Sequence, residues 1–295
     1  MKKIIAAFVI VAAFAATGSS AQKPVDLKFN LKKGESYAYA STMNIETKGN
    51  MGGQDVDVKN TVGISYLFTN TGDSAGWKKL NSTITRIAMN INAGGMSINY
   101  DSDQPVDSSD MVGSMLGKIL GAMKNGQFMF TINEKGEVGS VTGFEQMMQK
   151  VTDAASGAGP MGNVGNAFNE ENFKQNIQQS FGGYPGKPVK PGDTWTSTMN
   201  TNAGGAQMTS QNTYTLESVE GNTATVKVNS KISSPAEDSA ATINGTSTGN
   251  IKYDIPSGIA IDGDMDTNLD MNINRGGQSM PMSTDIKMKI TGKKS

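Results

Sequence analysis

From Asp264 to Ile273 the chain alternates without a slip. Met265, Thr267, Leu269, Met271 and Ile273 take one parity; Asp264, Asp266, Asn268, Asp270 and Asn272 take the other. Period-2 alternation gives one buried and one wet face, the pattern of an antiparallel strand. The same pattern fills both ends of the chain. Tyr37, Tyr39, Met43 and Ile45 share a parity, and Val56, Val58, Val62, Ile64, Tyr66 and Phe68 repeat it. Leu80 and Ile84 start a third strand that Ile87, Met89 and Ile91 continue on the opposite parity, so a β-bulge is predicted near Thr85-Arg86. Tyr214 and Leu216, Val226 and Val228, then Ile251, Tyr253 and Ile255 follow, and Ile286, Met288 and Ile290 close the series.

Residues 107–182 change period. Asp107 to Asp110 reads as a helix start, followed by an i, i+3/i+4 stripe from Met111 to Met123 that Asn125-Gly126 stops. Residues 127–132 and 138–141 read as a short hairpin. Thr142 and Glu145 have capping-box spacing ahead of Phe144, Met147, Met148 and Val151. A third helix begins near Asn169, carries Glu170 and Glu171 in its first turn, and buries Phe173, Ile177 and Phe181 before Gly182-Gly183. The glycine-rich stretch 156–166 is a connector; its G-x-G-x-x-G match carries Pro160 and follows a helix, against the requirements of a dinucleotide site.

The predicted fold is α+β: a large curved antiparallel sheet of two meander halves with helices packed on one face. Residues 1–21 form a signal peptide, 22–106 the first β half, 107–190 a helical insert with a short hairpin, and 191–295 the second β half, with 22–295 as one folded unit. Lys2 and Lys3 precede the apolar run 4–16, and Ser19-Ser20-Ala21 places cleavage after Ala21. That run is short for a membrane span, so the mature chain is expected to be periplasmic or secreted and not membrane-spanning.

The two β regions resemble each other. Lys33-Gly34-Glu35-Ser36-Tyr37 corresponds to Pro191-Gly192-Asp193-Thr194-Trp195, and each precedes the tetrapeptide Ser-Thr-Met-Asn, at 41–44 and 197–200. An Asn-x-Gly-Gly turn recurs at 50, 92, 202 and 274, supplying residues that accept positive φ. One order of turn, strand and hairpin in both halves predicts a structural repeat.

The segment Pro188-Val189-Lys190-Pro191-Gly192-Asp193-Thr194-Trp195 resembles the Pro-Val-x-x-Gly-Asp-x-Trp signature of an uncharacterised family of exported β-rich bacterial envelope proteins. The closing pattern of residues 249–258 is similar to that family too. More loosely, the arrangement resembles periplasmic lipoprotein carriers, with a half-barrel and helices across its concave face. The resemblance implies a fold and a compartment, and no catalytic residue comes with it.

Composition narrows the chemistry. The 295 residues include no cysteine and no histidine, and the formal net charge is −1. A Ser-His-Asp or Cys-His centre, a disulfide and a His- or Cys-ligated metal are all excluded. Near-neutral charge offers nucleic acid nothing. Gly245-Thr246-Ser247-Thr248-Gly249 matches G-x-S-x-G, but in a β context with no base. Residues 262–268 have the look of a calcium loop yet lack the sixth-position glycine and the twelfth-position glutamate. Most of the 19 methionines fall in phase with core faces, which reads as packing before a soft-metal trap. No catalytic residue, metal or cofactor is assigned.

The leading expectation is a non-enzymatic exported envelope protein that binds an apolar or amphipathic ligand, such as lipid, between sheet and helices. Met115, Ile119, Met123, Phe144, Met147 and Met148 are the predicted lining. The alternatives are a structural or protein-interaction module with an envelope partner, and a hydrolase working through two carboxylates.

Overall fold

Alternating chain of this kind hides its apolar parity only by pairing strand with strand. The computed structural model describes residues 23–51, 54–105, 111–156, 170–203, 206–234, 241–275 and 278–295. The predicted signal peptide, the helix start at 107–110, the connector from 157 onward and the Gly-Gly pairs of three hairpin tips lie outside them.

The protein is mostly β. Its strands are β1 (Ser36–Met51), β2 (Gln54–Ser74), β3 (Trp77–Ala93), β4 (Met96–Asp101), β5 (Gln127–Asn133), β6 (Val138–Thr142), β7 (Thr194–Ala203), β8 (Ala206–Glu220), β9 (Thr223–Ser233), β10 (Ala241–Asp254), β11 (Ala260–Arg275) and β12 (Gln278–Lys294). Among the described residues three short helices, α1 (Met111–Met123), α2 (Phe144–Ala155) and α3 (Glu170–Phe181), interrupt them. All twelve strands join one antiparallel sheet in the order β6-β5-β3-β2-β1-β12-β11-β10-β9-β8-β7, with β4 on β3. The sheet is open, with β6 and β7 as its edges.

The predicted bulge is present. Ser65 pairs with Arg86 and Tyr66 with Ile84, leaving Thr85 as the extra residue that switches β3 from one parity to the other. Arg86 then grips Asp101 at the end of β4, donating to its carboxylate at 3.0 and 2.6 Å.

The halves repeat at atomic detail. In the first, Gly34 N–H donates to Asn70 O at 2.8 Å, Glu35 N–H to Lys32 O at 3.0 Å, and Lys32 N–H to the Glu35 carboxylate at 2.9 Å. In the second, Gly192 N–H donates to Leu216 O at 2.8 Å, Asp193 N–H to Lys190 O at 3.0 Å, and Lys190 N–H to the Asp193 carboxylate at 2.9 Å. Gly34 and Gly192 have φ of 84° and 91°, which only glycine adopts without strain. The next hairpins agree as well, with register breaks at Asn70/Gly72 and at Leu216/Ser218. The Pro-Val-x-x-Gly-Asp-x-Trp residues thereby acquire physical roles. Val189 is buried in the core, Gly192 and Asp193 shape the turn, and Trp195 stacks on Tyr214 while donating to Gly183 O at 2.6 Å.

Residues 25–31 form a strap that sequence patterning did not assign to an element. Val25 and Val189 exchange backbone hydrogen bonds of 2.8 and 2.9 Å. Phe29 N–H donates to Glu134 O at 3.0 Å in the β5–β6 turn, and Asn30 N–H to Ser257 O at 2.7 Å in the β10–β11 turn. Leu27, Phe29 and Leu31 are buried at 2%, 0% and 0% exposure, so the strap sutures both repeats from one end.

One local expectation fails. No capping box forms at Thr142/Glu145: the N-cap of α2 is Gly143 at φ 82°, with no side-chain cap. Thr142 is instead the last residue of β6, paired with Met129, and a strand residue cannot also turn its hydroxyl onto the helix. The α1 stop at Asn125 (φ 61°) is as predicted.

Candidate functional site

Register places three transverse rows side by side on the apolar parity. The first runs Met89, Val62, Met43, Met288, Met265, Gly249, Val228, Tyr214, Trp195 from β3 to β7. The second runs Ile91, Asn60, Ile45, Ile286, Thr267, Ser247, Ser230, Asn212, Ser197. The third runs Ala93, Val58, Thr47, Thr284, Leu269, Gly245, Ile232, Ser210, Met199. None of these positions carries a charged side chain. Met43, Ile45, Val62, Met89, Ile286, Met288 and Leu269 are half-buried rather than sealed. The opposite parity is polar throughout the centre of the sheet. There the aspartates of β11 face lysines of β12, with Asp264 opposite Lys289 and Asp266 opposite Lys287.

Two glycines set the depth of the apolar face. A Cβ on Gly249 would collide with the backbone of Asp264 and with Met265, and one on Gly245 with Asn268 and Leu269. The Met265 and Leu269 side chains occupy the room those glycines leave. This is the real role of the G-x-S-x-G match: it lies within β10, with Ser247 hydrogen-bonded to Thr267 at 2.7 Å, and makes no strand-to-helix elbow. In the calcium-like run, Lys289 Nζ lies 2.8 Å from Asp262 and 3.1 Å from Asp264, so an ammonium already answers those carboxylates.

The α3 helix meets the same parity near the strap. Phe173 packs edge-on to Phe128 of β5 at 4.7 Å, and Phe181 contacts Phe68 of β2 at 5.3 Å, Phe130 of β5 at 5.7 Å and Phe29 of the strap at 5.5 Å. The α3 helix touches both edge strands, β6 and β7. Val138 N–H donates to Gln178 Oε1 at 2.6 Å, Gln178 Nε2 donates to Gly136 O at 2.8 Å, and Gly182 sits against Met199. It therefore occupies the seam between the sheet edges. A cavity of about 540 Å³ opens along that seam, lined by Glu137, Gln178, Tyr184, Ser197 and Met199 among others.

The six predicted lining residues fall in one place. Ile119, Met123, Phe144, Met147 and Met148 are buried, and Met115 packs partly buried against them, in a single core cluster with Ile84, Phe128 and Phe130. The seam cavity and a second one of about 530 Å³ at Lys48, Asn244, Asp270 and Ser283 are lined by other residues. Sequence reasoning missed the half-buried strand rows, although their parity had been read correctly.

Tyrosines crowd the floor of this interior. Desolvation raises the phenol pKa of Tyr37, Tyr39, Tyr66, Tyr184, Tyr214 and Tyr253 above the usual value near 10, and neighbouring tyrosines raise several further. Because the folded values exceed the unfolded one, their contribution is intact below about pH 10 and is lost as pH climbs toward the folded values. An absorbance titration at alkaline pH should thus show phenolate appearing in step with loss of the fold. Gradual ionisation near pH 10 with the fold intact would contradict this burial.

A family profile of unknown function, DUF6263, matches residues 75–260. The chain belongs to that family. No curated protein matches the sequence. Among solved structures, lipovitellin, in a study of its lipid–protein interactions, overlaps 90% of this chain at 12% identity with a TM-score of 0.51. The chain spans only 25% of that protein's length, and the likeness is one of fold. The translocator domain of the autotransporter NalP from Neisseria meningitidis (8% identity, 88% of this chain, 89% of that one) has a TM-score of 0.23, too low to indicate a shared fold. No helix among the described residues is long and apolar enough to cross a membrane.

Proposed function

We propose that this DUF6263 protein is an exported, non-enzymatic binder of an apolar or amphipathic ligand such as lipid. The ligand lies along the methionine and isoleucine rows of the apolar face. The helices cover that same face near the strap, and Met115, Ile119, Met123, Phe144, Met147 and Met148 form the wall at that end. One observation carries the reading: three adjacent rows, uncharged from β3 to β7, in which Met43, Ile45, Val62, Met89, Ile286, Met288 and Leu269 remain half-buried while the reverse face is polar. A finished core would seal such residues, and a lipid-facing strand would turn its apolar parity outward. Methionine suits the role because its thioether chain repacks around ligands of varied shape. The fold-level likeness to lipovitellin is compatible with it.

The test is direct. The purified chain should enhance the fluorescence of diphenylhexatriene, an uncharged apolar probe, and should carry lipid from bacterial extracts into native mass spectra. A chain that does neither is not a lipid binder.

A further inference from the structure

The second of the three rows changes character along its length. Over β3, β2, β1 and β12 it is Ile91, Asn60, Ile45 and Ile286, apolar but for Asn60; over β11 to β7 it becomes Thr267, Ser247, Ser230, Asn212 and Ser197. We infer that this polar half is the headgroup subsite for an uncharged, hydroxyl-bearing amphipath whose chain lies on the apolar half. The inference rests on the apolar-ligand reading above and adds orientation and ligand class to it.

The polar side chains point to the apolar parity and are largely withdrawn from solvent, with Ser247, Ser230 and Asn212 at 9%, 8% and 6% exposure. Local hydrogen bonds use only part of their capacity. Ser247 meets Thr267 at 2.7 Å; Asn212 Nδ2 donates to Ser197 Oγ at 3.3 Å while Asn212 Oδ1 accepts from Ser210 Oγ at 2.7 Å, and Ser197 also meets the Tyr214 hydroxyl at 3.2 Å. Two hydroxyls in mutual contact still leave one O–H to donate. The Ser230 hydroxyl lies between Asn212 and Ser247 in the row. The spare O–H of the Ser247 and Thr267 pair and the oxygens of the row can therefore meet a bound hydroxyl.

Charge decides the class. A phosphate or carboxylate headgroup on these rows would meet no lysine or arginine, and an uncompensated buried anion is costly. A sugar or glycerol hydroxyl meets donors and acceptors alike. At about 4.8 Å between strands, the polar half spans roughly 19 Å, room for a headgroup of more than one hydroxyl. The seam cavity includes Ser197 and opens this end of the row to the edge of the sheet.

The experiment uses the full mature chain loaded with diphenylhexatriene. Monooleoylglycerol should displace the probe at about tenfold lower concentration than ionised oleate or dioleoylphosphatidylglycerol, the equivalent of one or two net hydrogen bonds. The double substitution Ser230→Ala with Ser247→Ala should erase that preference. Equal displacement by the charged lipids, or a preference that survives the double substitution, overturns the headgroup subsite while leaving the apolar reading in place. Absence of any probe signal overturns both.

Discussion

Replacing Gly258 by alanine should cost far more stability than the same change at the open turn of Gly221. Gly258 has φ 70°, and a Cβ there would collide with the backbone carbonyl of Lys28. Its N–H donates to Asp254 O at 2.6 Å and its carbonyl accepts from Tyr184 Oη at 2.5 Å, so the turn cannot swing away freely. The positive φ alone costs an L-residue about 1–2 kcal/mol. Relief of the collision requires the strap to move, and with it Phe29, whose contacts with Phe181 are at stake; overpacking adds about 1–3 kcal/mol. A loss of roughly 3 kcal/mol or more is expected, read as a fall in urea midpoint at constant slope. Gly221→Ala is the control. Its φ is 59°, but nothing lies within 4 Å of its Cβ position, so only the backbone penalty applies. Equal losses for the two substitutions would show that the strap bears no load at Gly258.

The second large effect concerns binding. Ile45→Asp should weaken diphenylhexatriene binding at least about tenfold, because it puts a carboxylate on rows that contain none. Asn44→Asp, one residue away and on the wet parity, should change nothing. The pair isolates the face, since net charge and strand are the same in both. Ile45 is half-buried, so the fold should survive with the carboxylate partly solvated. An apolar setting raises a carboxyl pKa above its usual value of about 3.9, and the defect should shrink as falling pH protonates it. Equal weakening by Asn44→Asp would mean that the ligand sits elsewhere.

Much of this architecture was legible because period 2 is a local property. The parity switch at Thr85-Arg86 announced the bulge, and matched turns at Gly34 and Gly192 announced a repeat whose entry-turn hydrogen bonds the structure reproduces. Partnership was not legible: nothing in the alternation of β1 and β12 says that Tyr37 meets Lys294. The strap was hidden differently. Val25, Leu27, Phe29 and Leu31 alternate as a strand would, yet only Val25 makes a bridge, and the rest bury their side chains across strand ends. The polar half of the middle row escaped notice because Ser197, Asn212, Ser230 and Ser247 sit among threonines and asparagines of the wet parity, where no hydropathy contrast marks the inward ones. The capping box misled because its spacing is indifferent to whether the first residue already belongs to a strand.

The pairing of β1 with β12 also governs how the chain acquires its structure. The β1 edge must wait for residues 278–294, and the strap must wait for Val189 and Ser257, before either finds its partner. Contacts this distant in sequence fold slowly, and until they close, β1 presents an unpaired apolar edge. A chain built in this way reaches its sheet only after synthesis has passed the last strand, and during that interval it depends on whatever keeps the open edge from pairing with another copy.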